Sequence, residues 1–506
     1  MAWMRRCGQL PVLASSAVVI ASCSALPPRV EGYECDFTTS SSGVLACVER
    51  PKSAGPNGVS VPGDSNPGEP GSVPDLGEGS PLPGVEGSEP GSVSVPELGP
   101  NPSVVDNGPK GSGPSGGEVI SEPVGTSMGS IRVSAGDVAR DHSVVTFPLP
   151  AAQGKSVELI DAEGNELPLQ VGTDGNVTFI LPSLGAGQQA VYTLQELSAP
   201  RPAAATAAVE ANQLFVTVGD SQVFRWVLTD DNFRNRSAND VRSGYIHPLR
   251  TPAGLTVTDD YAEDHPHMHG LWSAWTSTTF RGHKVDFWNG YANQGHVDLD
   301  AMEGAWSGPV HAGLIAKLVH TDISTDPDVN VLNEKWVVTV YKTHDGAAPY
   351  FILDIDSTQV TAGTDPLILD QYHYGGFGFR GAADWAVGAN VSFLTSEGHT
   401  RANADGQNAR WVAQFGSVGG QVGGYAALDH PSNLRAPQGL RVHPSNPYWA
   451  YVPVTPLKGG RYTIEVGAQY RSRFRIVSFD GAANPDVLNQ IWSDYATPPT
   501  VEVLPP

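Results

Sequence analysis

Cysteine, positive charge and long apolar runs are all scarce in this sequence. The 506 residues hold four cysteines, and none lies beyond Cys47. Cysteine nucleophiles and cysteine-ligated metals are therefore excluded from the body of the chain. Lys and Arg number 30 against 53 Asp and Glu, a formal net charge of −23. Nucleic acid is excluded as a partner, because its phosphates would be repelled. Beyond Ala21 no run approaches the ~20 apolar residues that a membrane helix needs. There is no Walker-type phosphate loop. Histidine, tryptophan, glycine and proline are well represented, and they are unevenly spread.

The first residues carry Arg5 and Arg6, an apolar run from Leu10 to Ala21, and then Ser22-Cys23. The run is too short to span a bilayer and reads as a signal-peptide core. The register of apolar core, small residues and cysteine resembles a bacterial lipoprotein signal. That resemblance implies removal of residues 1–22, lipidation of Cys23 and a membrane-anchored protein of the bacterial cell envelope. Cys35 and Cys47 then remain within residues 23–50, and an oxidising compartment would join them in a small disulfide loop. Residues 51–129 are dominated by Gly, Pro, Ser, Val and Glu, with imperfect repeats such as Glu69-Pro70-Gly71-Ser72-Val73 and Glu89-Pro90-Gly91-Ser92-Val93. So few large apolar residues cannot offset the entropy of ordering, and a flexible acidic stalk is expected.

From residue 130 to 200, short β-rich segments such as Val144-Val145-Thr146-Phe147 and Val177-Thr178-Phe179-Ile180-Leu181 alternate with turns such as Thr173-Asp174-Gly175-Asn176. This predicts a small β-sandwich. Residues 209–506 again read as strands, with a hairpin expected around Gly219-Asp220. One helix is expected near the end. Asn484 would cap it, Pro485 suits its first turn, and Val487, Leu488, Ile491, Trp492 and Tyr495 form one apolar stripe. The fold class is all-β: a large two-sheet β-sandwich preceded by a small one.

Six of the 14 histidines fall between His247 and His296. The densest stretch runs from Asp264 to Trp272. If it is extended, His265, His267 and His269 share one face. Imidazoles exchange protons and bind metals, and tryptophans such as Trp272, Trp275 and Trp288 offer apolar faces for sugars. Polar residues recur later in Gly- and Pro-rich loops, at His373, Arg380, Glu397, Asp429, His430 and Asn433.

Seven motifs occur in order: Tyr245 to Pro252, Asp264 to Trp272, Asp286-Phe287-Trp288, Gly375 to Arg380, Ser396-Glu397-Gly398, Ala409-Arg410-Trp411 and Asp429 to Asn433. Together they resemble the bacterial family labelled "methane oxygenase PmoA", a domain of unknown function, over about residues 209–481. The resemblance implies an exported or lipid-anchored β-sandwich protein working among carbohydrate-utilisation functions. It does not imply methane oxidation, because a particulate methane monooxygenase subunit spans the membrane and this chain has no spanning run. The family pattern usually reads Asp-His-Pro-His-His-Arg-Gly, with Glu before Gly-Gly-Phe-Gly. Met268, His269 and Tyr374 depart from it, which implies a different substrate or reduced activity. His267-Met268-His269-Gly270 also resembles the histidine motif of galactose-mutarotase-type supersandwiches, where histidines polarise a sugar ring oxygen.

The expected site is thus a carbohydrate pocket lined by His247, Arg250, Asp264, His265, His267, His269, Trp272, Trp275 and Trp288, with His373, Arg380, Glu397, Asp429, His430 and Asn433 brought in by later strands. As an enzyme, His267 or His269 would serve as acid and Glu397 as base, for epimerase, lyase or hydrolase chemistry. Arg250 or Arg380 would hold a hydroxyl or carboxylate. The alternatives are a non-catalytic glycan-binding lipoprotein, and a protein with a histidine-bound divalent metal.

Overall fold

The computed structural model describes residues 33–39, 45–51, 126–229, 240–344, 349–386, 390–446 and 449–505. Cys23 and residues 52–125 lie outside them. The chain divides into two units, Met1–Gly113 and Pro114–Pro506. In the first, strand Tyr33–Thr39 pairs antiparallel with Leu45–Pro51. That register sets Cys35 opposite Glu49 and Cys47 opposite Phe37, so the two cysteines are not directly facing positions.

The second unit is all-β, built on antiparallel sheets. Two eight-stranded sheets form a large sandwich around one core. The alternation in Val329–Tyr341 shows why: Leu332, Trp336, Val338 and Val340 point inward while Asn333 and Lys335 face out. Rings interlock between the sheets, with Trp226 at 5.5 Å from Trp336 and Phe377 stacked on Phe474 at 4.6 Å. The expected hairpin is present as Gln213–Val218 with Ser221–Trp226.

Residues 126–196 form most of a seven-stranded sheet, which curls around its own core of residues such as Ile131, Phe147, Leu159 and Phe179. Its last strand is supplied from the far end of the chain. Thr500–Leu504 pairs with Thr126–Ser134.

The helix Pro485–Ala496 begins where expected, and the Asn484 side chain accepts from the Asp486 and Val487 backbone N–H groups. Leu488 and Ile491 pack on Ile352, Val477 and Phe479 of the large sheet. The other side of the helix reaches the small sandwich. Buried Asp494 accepts from Arg140 Nη1 at 2.9 Å and from Ser143 Oγ at 2.8 Å. Removing one partner of such a pair leaves a buried charge unmatched. Asp494→Ala is expected to lower stability by about 3–5 kcal/mol. Denaturant unfolding measures this, and a loss below about 1 kcal/mol, the level of an exposed pair, would contradict the anchoring role.

Candidate functional site

The Asp264–Trp272 stretch is not an extended strand. It makes two consecutive tight turns, with His265 N donating to Ala262 O and Met268 N to His265 O. Strand structure resumes only at Leu271–Ala274. Gly270 sits where a Cβ would lie 2.2 Å from the Ile246 carbonyl, so the turn closes directly against a neighbouring strand. Pro266 and this close approach override the alternation, and the three histidines do not share a face. His269 turns into the core, with Nδ1 at 2.9 Å from Asp260 Oδ1 and its ring between Tyr245 and Tyr261. His265 is half-buried and His267 buried, and their rings meet edge to face at 5.7 Å.

The tryptophans are also placed differently from the expectation. Leu271–Ala274 is buried at every position, and Trp272, Trp275 and Trp288 are core residues. Trp272 and Trp288 lie 4.0 Å apart, and Trp275 Nε1 donates to Gln359 Oε1 at 2.8 Å. None offers a free face to a ligand.

A different cluster forms around His265 and His267. Strand Gly376–Arg380 pairs with Leu271–Ala274 on one side and Tyr451–Thr455 on the other. This brings three distant segments together. Arg380, fully buried, holds Asp264 through Nη1 at 3.1 Å and Nη2 at 2.6 Å. Burial pushes the Asp264 carboxyl up, but the hydrogen bonds from His265 and Arg380 outweigh it and hold the group well below the usual carboxylate range. The His265 ring meets Trp449 at 5.1 Å and Tyr451 at 5.0 Å.

His443 completes the group. Its Nε2 lies 2.5 Å from Tyr374 Oη, and its ring is 4.5 Å from Trp449. Arg441 lies over the Tyr374 ring at 5.6 Å and donates to Asp405 Oδ2 at 2.7 Å. The loop carrying His443 and Trp449 is clamped by Arg401, whose Nη1 donates to the carbonyls of His443, Asn446 and Trp449. Burial, then the neighbouring Arg441, lowers the His443 pKa to about 4. Burial, then the charges of His265, His269 and Arg380, lowers His267 to about 3. Both imidazoles are therefore uncharged near neutral pH.

Beside this cluster stand Tyr291 and Tyr372, 72% and 37% exposed. Among the described residues they are the two exposed Phe, Trp or Tyr side chains, and His373 next to Tyr372 is exposed as well. Tyr291 meets the His267 ring at 5.6 Å, and Tyr372 stacks on His373, which in turn contacts Tyr374. Behind His267 a cavity of about 20 Å³, bordered by Arg242, His269 and Trp288, has room for a single water.

The remaining expected residues lie elsewhere. His247 Nδ1 is 3.0 Å from Thr258 Oγ1, and Arg250 forms a bridge with Thr256 in a turn. Glu397 is bound by Ser396 and by Arg410 at 3.4 Å. Arg410 lies over Trp492 of the C-terminal helix. Asp429 accepts from Asn433 Nδ2 and Gln438 N, and its backbone carbonyl accepts from Trp492 Nε1. Burial raises its pKa to about 6 despite those bonds. His430 packs on Tyr495. Glu397, Asp429, His430 and Asn433 are thus gathered beneath the helix, with Arg410, Trp492 and Tyr495 between them. The expected pairing of Glu397 with His267 or His269 is therefore not made. Among the described residues, no three His, Cys, Asp or Glu side chains are arranged to hold a metal ion.

Tyr374 drew attention in the sequence only as a departure from the family pattern, and Tyr291, Arg441, His443, Trp449 and Tyr451 were not expected from sequence. One signal was available: Trp449 and Tyr451 are spaced two apart, as are neighbours on one strand face. A family model describing a family of unknown function, DUF6807, matches residues 213–493. This chain belongs to that family. The DUF6807 region contains every residue of the His443–Tyr374 cluster and leaves the small sandwich and the Thr500–Leu504 strand outside it. No curated protein matches the chain.

Proposed function

We propose that this DUF6807 member is an exported, lipid-anchored protein of the cell envelope that binds carbohydrate at the His443–Tyr374 cluster and performs proton-transfer chemistry on it. The observation that carries the reading is the placement of both exposed tyrosines, Tyr291 and Tyr372, against the rings of His267 and His373 beside the Tyr374–His443 pair. Sugars stack on such faces and hydrogen-bond to such polar edges. Tyr374 Oη and His443 Nε2, 2.5 Å apart, are within proton-transfer distance of each other. As Tyr374 Oη takes a proton from the sugar, its own phenol proton can pass to His443 Nε2, and the reverse transfer returns a proton to the sugar, so the couple suits redox-neutral reactions such as epimerisation or elimination. His267 is a second uncharged imidazole on the same wall. The lipid anchor rests on the Ser22-Cys23 signal, and the likeness to the PmoA-labelled proteins on the seven ordered motifs.

A non-catalytic glycan-binding role is the second reading. It is favoured by the engagement of Glu397 with Arg410, away from the histidines, which removes the carboxylate base expected from sequence. Calorimetry of the full chain against a broad oligosaccharide panel, with product analysis of the same samples, separates the two. Binding is expected to weaken about tenfold, or about 1.4 kcal/mol, in Tyr291→Ala and in Tyr372→Ala. Unchanged affinity in both variants would remove the carbohydrate assignment from this cluster. The full chain is needed because the Thr500–Leu504 strand pairs outside the large sandwich.

A further inference from the structure

We infer that the site takes uncharged sugars and discriminates against uronate and sulfated ones, because, among the described residues, the cluster's own arginines Arg380 and Arg441 are already paired with the carboxylates of Asp264 and Asp405. The inference rests on the carbohydrate reading above and names the substrate class for the same site.

The cations can be taken in turn. Arg380 is fully buried and makes two hydrogen bonds to Asp264. This parallel arrangement uses the guanidinium edge that a sugar carboxylate would need. Arg441 is held by Asp405 at 2.7 Å and lies over Tyr374. Arg401 donates through Nη1 to three backbone carbonyls and lies over the Phe393 ring at 4.2 Å. Lys458 lies along this rim, where its carbonyl accepts from Gln371 beside Tyr372. Its ammonium donates to the Gly406 carbonyl. Arg242 lies behind His269, where the cavity of about 20 Å³ admits a water and no sugar.

His267 and His443 add no charge, since burial keeps both neutral near pH 7. Asp286 contributes to raising the Tyr291 and Tyr372 phenols, which places a carboxylate near both tyrosines. The whole chain carries a formal charge of −23. A carboxylate or sulfate entering this site would lose water and would have to compete with Asp264 and Asp405 for Arg380 and Arg441, and burying an uncompensated anion is costly. A neutral sugar loses nothing of this kind. Its hydroxyls meet phenols, imidazoles and carboxylate oxygens, and its apolar faces meet tyrosine rings.

The test is calorimetry of the full chain with tetrasaccharides of matched length. The probes are neutral glucose, galactose, mannose and xylose oligomers, a galacturonate oligomer and a 6-O-sulfated glucose oligomer, each at about 50 and about 500 mM salt. At least one neutral probe is expected to bind, with an affinity that changes less than about twofold with salt. The acidic probes are expected to bind about tenfold more weakly or not at all. Preferred binding of the galacturonate or sulfated probe would overturn this inference and leave the carbohydrate reading standing. Binding of no probe would overturn both.

A charge-release variant gives an independent readout. Asp405→Asn frees Arg441 and is expected to raise the affinity for galacturonate about tenfold relative to that for the neutral oligomer. Asp264→Asn, which frees Arg380, is the second such variant, with folding checked by thermal melting. No gain of galacturonate binding in two folded variants would show that pre-engaged cations are not the basis of selection.

Discussion

Tyr374→Phe is expected to lower turnover of a bound neutral oligosaccharide by about 10²–10⁴-fold, the usual range for a positioned acid–base group. Affinity should change little, because the ring stays and only Oη is lost. The expectation follows from the 2.5 Å contact to His443 Nε2 and from the position of both groups beside the exposed rim. His443→Gln should show the same loss in kcat with KM near its starting value. The pH profile provides a check that a packing role would not move. His443 has a lowered pKa of about 4, so its acceptor nitrogen is free through the neutral range and is lost as pH falls through about 4. Activity should therefore hold from pH 7 down to about 5 and fall on the acid side near 4, provided the fold persists there. Full activity in Tyr374→Phe would remove the couple from the mechanism and favour the binding-only role.

Asp264→Ala is expected to cost about 3–5 kcal/mol of stability at neutral pH. It leaves the Arg380 guanidinium fully buried with Asp259 at 3.9 Å as its nearest remaining carboxylate. The contribution has a defined pH dependence. The folded-state pKa of Asp264 is depressed, so its stabilisation is fully present above the ordinary aspartate value of about 3.9 and is lost as pH falls through the lowered value. The gap between native and variant proteins should thus be widest at neutral pH and narrow in strong acid. Urea unfolding at the two extremes measures it. Equal stability of the two proteins at pH 7 would show that Arg380 finds another partner.

Local signals in the sequence were sufficient wherever a structure depends on neighbours along the chain. Gly219-Asp220 between two alternating segments gave the hairpin, and Asn484-Pro485 before an apolar stripe gave the helix. The all-β class followed from many such segments. The site was less legible because it is made by non-local pairing. Strand Gly376–Arg380 lies between strands more than seventy residues away on either side, and this alone brings Asp264, Tyr374 and His443 together. Histidine density marked the right turn, since His265 and His267 belong to the cluster, but spacing misjudged its shape. Tight turns at His265 and Met268 replaced the extended strand. The tryptophans next to the motif drew attention for their faces, while their strand is one buried at all positions. Glu397, Asp429, His430 and Asn433 are grouped by the C-terminal helix, whose docking partner could not be read from its own stripe.

The most direct test of the carbohydrate site is histidine-resolved NMR of the full chain labelled with ¹⁵N-histidine, titrated with the neutral tetrasaccharide that binds best. The chain has 14 histidines distributed over several environments, so they report location as well as binding. Resonances of His265, His267, His373 and His443 are expected to shift together and saturate with the calorimetric affinity, while His320 in the core, His142 in the small sandwich and His430 beneath the helix stay in place. Movement of His430 or His142 with the four cluster histidines unmoved would contradict the account and put the ligand elsewhere on the molecule.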